Sequence, residues 1–440
     1  MIPVFTGTGG NPVDNKTPYY EMTMAENIEQ ISALLDRQKP GFALEQAFYV
    51  SRDIFDFERE AILRDNWYMA GHVSRIPEVG DYFLWEIMNE SIIVVRSGAS
   101  TVKAFFNVCR HKGSRVCLEA EGKKRMFTCP YHAWTYGLDG RLANARSMGA
   151  GFNPADYSLV PCSVQTLCGL IFINLSDKSR ADFERLYGNY EPLLNFHGLA
   201  EAQVAARDHY PTDANWKLVL ENFFECYHCA PAHPEYCRIH SPEAVLAMGS
   251  SPDSELRQAY MPVIEAWRER ASALGHPVDN FGSADDDPDY RGYIRAPLGN
   301  ESLSETEDGK PAAPIMGKFR EFDGGHSTIV FNPFSWILGM TDFAVLFRFT
   351  PIANRKTELE VTWLVAPGLE AGKDYDLDKV CYAWRVTAPQ DKMIVENNQN
   401  GIESSRFTPG PYSEQELPVV KLMEWYRNRM QTALGCRGQN

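Results

Sequence analysis

The sequence predicts an α+β protein in two parts: a small antiparallel β unit, then a larger unit of helices packed against a second antiparallel sheet. Three observations carry that expectation. Short β-rich runs divided by turn residues fill residues 67–176. Segments with helical periodicity flank them and close the chain. Three further runs rich in β-branched and aromatic residues, STIVFNPFSWIL, DFAVLFRFTPI and ELEVTWLVAP, lie between residues 327 and 367.

At 440 residues the chain is long enough for two domains. The expected bounds are an N-terminal helical segment at 1–66 packing on the larger unit, the β unit at 67–176, and the larger unit at 177–440. A polar leader comes first, and AENIEQISALLDRQ has helical spacing. GDYFLWEI, SIIVVRS, VKAFFNV and CGLIFINL supply strands of the β unit. DFERLYGNYEPLLNFHG is expected to be helical, and NWKLVLENFFECYHCAPAH to be one long helix stopped by its prolines. Residues 243–320 are the loosest stretch. Their acidic segments FGSADDDPDYRGY and GNESLSETEDGKPAAP are expected to be solvated loops. LPVVKLMEWYRNRMQTAL closes the chain as an amphipathic helix.

Composition narrows the function classes. With 44% hydrophobic and 23% charged residues the chain can bury a full core. A net charge of −15 argues against nucleic acid as a partner. No apolar run approaches the roughly 18 residues of a membrane span. The start, MIPVFTGTGGNPVDN, lacks a basic stretch followed by an apolar core, so a cytoplasmic protein of bacterial type is expected. In such a compartment ten cysteines point to metal or redox use before disulfides.

Cys109 and His111 stand as C-x-H; seventeen residues later Cys129 and His132 stand as C-x-x-H. Two thiolates and two imidazoles can bind zinc. Each half here supplies one of each, however, which lets two loops grip a binuclear cluster with thiolates on one iron and imidazoles on the other. Gly113, Gly137 and Gly140 permit tight turns around it. The CRHKG and CPYHAWTYGLDG loops resemble those of the Rieske oxygenases, down to Trp134 beside the second histidine. The resemblance implies a [2Fe–2S] cluster on Cys109, His111, Cys129 and His132, and leaves Cys117 a buried free thiol.

A second set lies in NWKLVLENFFECYHCAPAH. Two imidazoles and a carboxylate form the facial set of non-haem Fe(II) oxygenases, and His228 and His233 are five apart near a helix end. The segment resembles the catalytic helix of the same family. QDKMIVENNQNGIESSRFTPGPYS resembles the element that brings the third ligand, which carries that role onto Asp391 and leaves Glu396 and Gln399 structural. A helix-grip-type catalytic domain is implied with it. Cys226, Cys229 and Cys237 flank the set as small packing residues, since thiolates are unsuited to stand beside reactive oxygen species.

Glu225 departs from the Asp that aromatic-ring dioxygenases carry two residues before Tyr-His. Glu at this place resembles the subgroup acting on quaternary ammonium compounds such as glycine betaine, stachydrine and carnitine, as does TEDGKPA at 306–312. Glu225 is expected on the helical face of His228, one turn earlier, with one oxygen on that imidazole. The resemblance puts its other oxygen on His132 of an adjacent subunit in a homotrimer. It implies an O2-dependent monooxygenase, demethylating a small betaine with electrons from NADH. The chain has no G-x-G-x-x-G fingerprint and no plant-type ferredoxin spacing, so a separate flavin/ferredoxin reductase is expected. The rivals are an aromatic-ring dihydroxylating dioxygenase and a Rieske electron-transfer protein without oxygenase activity. A quaternary ammonium needs aromatic faces, for which Phe331, Phe334, Trp336, Phe343 and Phe347 are the candidates.

Overall fold

The computed structural model describes residues 24–176, 182–278 and 287–437. Among these residues the chain forms three antiparallel sheets. A seven-stranded sheet runs in the order Tyr68–His72, Leu170–Asn174, Pro161–Leu167, Thr101–Phe106, Glu90–Gly98, Asp81–Ile87 and Glu121–Lys123. Beside it a three-stranded sheet, Phe127–Thr128, Thr135–Tyr136 and Leu142–Asn144, carries the Cys129/His132 loop between its first two strands. The six-stranded sheet has the order Gln203–Thr212, Lys356–Val365, Phe343–Ala353, Ser335–Gly339, Gly325–Asn332 and Gly292–Pro297. The α+β expectation holds.

The central strand Phe343–Ala353 is buried along nearly its whole length, so its near-continuous apolar run is that of a strand covered on both faces. The period-2 alternation sorts it. Val345, Phe347, Phe349, Val361 and Trp363 join one core with residues of helices Trp216–Phe223 (α1), Leu377–Ile402 (α2) and Leu417–Arg437 (α3). Ala344, Leu346 and Leu364 face the other way, against Tyr187, Tyr190 and Leu194.

The sequence-based element boundaries need three corrections. NWKLVLENFFECYHCAPAH is not one helix: α1 ends at Phe223 and a separate turn of helix spans Cys229–Ala232. The carboxylate of Glu225 accepts from the backbone N–H groups of Tyr227 and His228, donors that a continued helix would have used internally. Residues 243–320 are largely ordered, with helices Pro242–Gly249 and Glu255–Ala273 and the strand Gly292–Pro297. Within the supposedly solvated GNESLSETEDGKPAAP, Ser304, Glu305 and Thr306 are fully buried. Of FGSADDDPDYRGY, residues 281–286 lie outside the described residues, as does the leader 1–23. STIVFNPFSWIL is two strands of a hairpin, its turn pinned by the Phe334 N–H donating to Asn332 Oδ1 (2.9 Å).

A buried ion pair ties the ends of the chain to the helix before the second site. Lys217 Nζ lies 2.6 Å from Glu58 Oε1, both side chains fully buried. Trp216 Nε1–H donates to Glu58 Oε2 (2.9 Å), and the Tyr426 hydroxyl donates to Oε1 (2.5 Å). Such bonding offsets the desolvation of both charges; an ammonium left there alone would cost about 3–5 kcal/mol. No described helix is long and apolar enough to cross a membrane.

Candidate metal centres

The two cluster-type loops fold alike. Cys109 N–H donates to the carbonyl five residues on, at Ser114, and Cys129 N–H does the same to Trp134. Gly113 N–H returns to the Cys109 carbonyl and Ala133 N–H to that of Cys129. Both return residues need a left-handed backbone: Gly113 at φ 78° and, less comfortably for a residue with a Cβ, Ala133 at φ 58°. Gly140 also has a positive φ, whereas Gly137 does not.

The loops sort their donors by depth, with Cys109 and Cys129 buried and His111 and His132 exposed. The histidine rings stand 4.7 Å apart. Trp134 stacks on His111 (4.9 Å between centroids, 10°), not on its sequence neighbour His132, which lies against Tyr131. Tyr136, a residue the sequence did not single out, brings its hydroxyl 3.2 Å from Cys109 Sγ and accepts from Arg110 N–H. Burial raises the Cys109 thiol above its ordinary value, while the Tyr136 bond lowers it. These four donors do not gather around one point. Among the described residues, one set of three or more His, Cys, Asp or Glu has ligand atoms within 4.8 Å of one another, and it is His228, His233 and Asp391. A tetrahedral zinc needs all four donors within roughly 4 Å, so the loops fit an extended binuclear cluster and not a single ion. Cys117 is a buried free thiol, its pKa pushed up to about 12 by burial.

The second set is compact. Nε2 of His228 lies 3.1 Å from Nε2 of His233 and 3.3 Å from Asp391 Oδ1; His233 Nε2 lies 2.9 Å from the same oxygen. Three cis ligands at about 2.1 Å from an octahedral ion are about 3 Å apart, so the edges fit a facial triad. The far nitrogens are held by acceptors. His228 Nδ1 is 2.5 Å from Glu225 Oε1, and His233 Nδ1 is 2.8 Å from Gln390 Oε1. With protons on both Nδ1 atoms, the two Nε2 lone pairs and a carboxylate converge with no proton among them, the donor chemistry of a cation site. A cation entering here displaces a proton: burial lowers the His228 pKa, but Asp391 and Glu225 outweigh it and raise it to about 9 without a metal. Burial likewise raises Asp391, and the two imidazoles bring it below its ordinary range.

The scaffold explains the motif spacing. Asn215 Oδ1 accepts from Lys217 N–H at the start of α1. Its own N–H donates to Gln399 Oε1 of α2 (2.9 Å), and Asp213 N–H donates to Glu396 Oε1 (2.9 Å). Glu396 and Gln399 therefore pin the two ligand-bearing elements together. Gln390 and Asp391, adjacent on α2, take one nitrogen each of His233. The placement of Glu225 differs from expectation: it reaches His228 across the tight turn after α1, not along a helical face, and its second oxygen already accepts two backbone N–H groups. That same turn brings Cys226 and Cys229 together as a disulfide, Cα atoms 4.8 Å apart, so these two are not simple packing residues. Cys237 is a partly buried free thiol.

Beside the triad lies a cavity of about 150 Å³, walled among others by Phe223, Tyr236, Trp336 and Trp384. Of the five aromatic candidates in the sheet only Trp336 lines it. Phe331 faces the opposite core, Phe334 packs on Trp216 and Trp425, Phe347 packs behind the wall against Phe223 and Trp384, and Phe343 is buried in the core. Trp384 stands seven residues before Asp391, two helical turns along the same face, a signal present in the sequence. Behind the wall Glu305 accepts from Trp384 Nε1 (2.9 Å) and bonds His240 Nε2 (2.8 Å).

Comparison with known proteins agrees with this geometry. Residues 66–164 match the Rieske [2Fe–2S] domain, and residues 199–432 match the catalytic domain of the ring-hydroxylating alpha subunit. The chain is 34% identical to a glycine betaine monooxygenase oxygenase subunit of Pseudomonas aeruginosa, over 91% of this chain and 92% of that one. It is 38% identical to a carnitine monooxygenase oxygenase subunit of Acinetobacter baumannii, over 43% of this chain and 52% of that one. In fold it is similar to the crystal structure of the quaternary ammonium Rieske monooxygenase CntA with L-carnitine, at TM-score 0.64 and 22% identity, covering 90% and 97% of the two chains. The chain belongs to the Rieske non-haem iron oxygenases, as an oxygenase subunit carrying a Rieske [2Fe–2S] cluster and a mononuclear iron.

Proposed function

We propose that the protein is the oxygenase component of an NADH-driven monooxygenase that hydroxylates an N-methyl group of a small quaternary ammonium compound. One O2, one NADH and one proton are consumed; water, NAD+ and the N-hydroxymethyl product form, and the latter loses its hydroxyl proton and breaks its C–N bond, the bonding pair staying on nitrogen, to release formaldehyde and the demethylated amine. The observation that carries this reading is the aromatic wall next to the triad. A trimethylammonium group has charge but no hydrogen to donate, so ring faces are its natural partners, each worth about 0.5–2 kcal/mol. Trp384 is fixed for that role by Glu305 and by Phe347, whose ring lies 4.5 Å from its own. Trp336 is wedged edge-on between Phe223 and Phe224. The names of the betaine and carnitine relatives point the same way.

In this reading His228, His233 and Asp391 hold the iron, and Cys109, His111, Cys129 and His132 hold the cluster. Residues 67–176 form the cluster domain, 177–440 the catalytic domain, and 1–66 a segment packed on it. When bound, the two centres supply electron delivery and O2 activation. The chain's own residues set the geometry. Gln390 and Glu225 accept from the Nδ1 atoms, which turns both Nε2 atoms toward the cation. The aromatic wall excludes water and seats the methyl groups. Electrons come from a separate reductase, and the chain works as a cytoplasmic homotrimer in which Glu225 stands between His228 and His132 of an adjacent subunit. Glu225 Oε1 on His228 supports the His228 half of that bridge, and Oε2 would exchange its backbone donors for His132 when subunits assemble.

The test is turnover with a reconstituted reductase. Betaines bearing N-methyl groups are expected to drive NADH oxidation with equimolar formaldehyde, and benzoate or naphthalene to do little. A cis-dihydrodiol formed from an arene, with no formaldehyde from any betaine, contradicts the proposal.

A further inference from the structure

A quaternary ammonium in the triad cavity is a cation set beside a metal dication, and the residues lining the cavity offer little to oppose that. The acidic ones among them are Glu225 and Asp391. Glu225 is committed to His228 and two backbone N–H groups, and Asp391 to the triad. When bound, iron(II) with a single carboxylate ligand leaves the triad net positive. A second cation next to it needs an anion elsewhere in the wall.

Such an anion lies directly behind the aromatic residues. Glu305 is fully buried, while Glu307 and Asp308 beside it in the same acidic run are exposed. The chain around it is fastened. Leu303 N–H donates to the Gly309 carbonyl (2.7 Å), and the Ser304 hydroxyl donates to Asp342 Oδ1 (2.6 Å). Both Glu305 oxygens are taken by residues that line the cavity: Oε2 by Trp384 Nε1–H (2.9 Å) and Oε1 by His240 Nε2 (2.8 Å). An indole N–H can only donate, so Oε2 is held as an acceptor. The ion pair that Glu305 makes among the described residues is with His240, and no lysine or arginine lines the cavity. A buried carboxylate without a lysine or arginine partner is costly to keep, and this one stands one side chain away from the space the substrate must fill.

We propose that Glu305 is the counter-charge for the substrate's ammonium group, a positioning residue that acts through Trp384 and selects a cation over a neutral group of the same shape. The proposal rests on the quaternary-ammonium reading above and names what in the fold selects the charge. Two effects act together. The carboxylate, with Trp384 and a neutral His240 as donors, sets a negative charge behind the ring that borders the methyl groups, inside the protein where its field is little screened. Its hydrogen bond also draws the indole proton toward the anion, which pushes electron density back into the ring and strengthens the attraction of the ring for a cation. Glu305 touches neither the substrate nor the iron ligands, so its effect falls on cation affinity and leaves metal loading alone.

The experiment is equilibrium binding by calorimetry to the metal-loaded protein without O2, with trimethylglycine and 3,3-dimethylbutanoate as probes. The two share three methyl groups and a carboxylate, and differ only in a quaternary nitrogen against a carbon. Wild type is expected to bind trimethylglycine at least about tenfold more tightly. Glu305→Gln keeps the size and both hydrogen bonds, since His240 can turn Nε2 into an acceptor for the amide. It should weaken trimethylglycine by about tenfold, leave 3,3-dimethylbutanoate within about threefold and leave the iron content unchanged. Glu305→Asp keeps the charge and should retain most of the preference. Should Glu305→Gln fail to fold, Trp384→Phe, which keeps a ring but has no N–H for Glu305, is read with the same probes and should lose part of the preference. A Glu305→Gln protein that keeps the full preference, or that weakens both probes alike, overturns the counter-charge and leaves the quaternary-ammonium reading standing. So does an unchanged preference in Trp384→Phe. Wild type without any preference for trimethylglycine overturns the quaternary-ammonium reading itself.

Discussion

Asp391→Ala is expected to abolish turnover and remove the mononuclear iron, while the cluster and its visible absorption remain. The single oxygen Oδ1 stands 2.9 and 3.3 Å from the two imidazole nitrogens, so its loss opens one corner of the triad and takes away the negative charge that faces the ion. His233→Ala should do the same. Gln390→Leu is the graded control: it leaves the three ligands in place but frees the Nδ1 proton of His233 from its acceptor. A cost of about 10–100-fold in iron affinity or activity is expected from such a change. Iron analysis after desalting, beside the visible spectrum, reads all three variants. Full activity and iron content in Asp391→Ala would require another carboxylate at this corner.

The second large effect concerns the outer donors of the cluster. Replacing His111 and His132 together by Cys puts anionic thiolates where neutral imidazoles stand. Added negative charge favours the oxidised cluster, so the midpoint potential should fall by hundreds of millivolts, toward the ~−400 mV typical of four-cysteine clusters. Both residues are exposed on their loops, so the exchange strains no core. A protein-film voltammogram checks it. A cluster whose potential stays in the Rieske range would remove these histidines from its ligands.

Each donor set left a local signal, C-x-H, C-x-x-H and H-x₄-H lying within one loop or turn, but spacing alone left zinc open for the first and was weak for the second, and the family resemblance assigned both. Asp391 needed resemblance, since 158 residues separate it from His233. What could not be read depended on side chains choosing distant partners. The end of α1 at Phe223 follows from the Glu225 carboxylate capturing two backbone donors, a competition invisible to helical periodicity. Glu305 sits in a stretch whose acidic composition suggests solvent, yet it is buried because His240 and Trp384, 65 and 79 residues away, supply its hydrogen bonds. The aromatic wall was sought on the sheet alone. Three of its rings, Phe223, Tyr236 and Trp384, come from helices, and two of those helices also carry or position metal ligands.

The central claim is that two loops and one triad make two metal centres of different kinds, and anomalous diffraction at the iron edge tests it most directly. The expected map has one isolated peak about 2 Å from His228 Nε2, His233 Nε2 and Asp391 Oδ1, and a separate paired peak between the thiols of Cys109 and Cys129 and the rings of His111 and His132. A single ion shared by those four residues, or no peak at the triad in fully active crystals, would contradict the account.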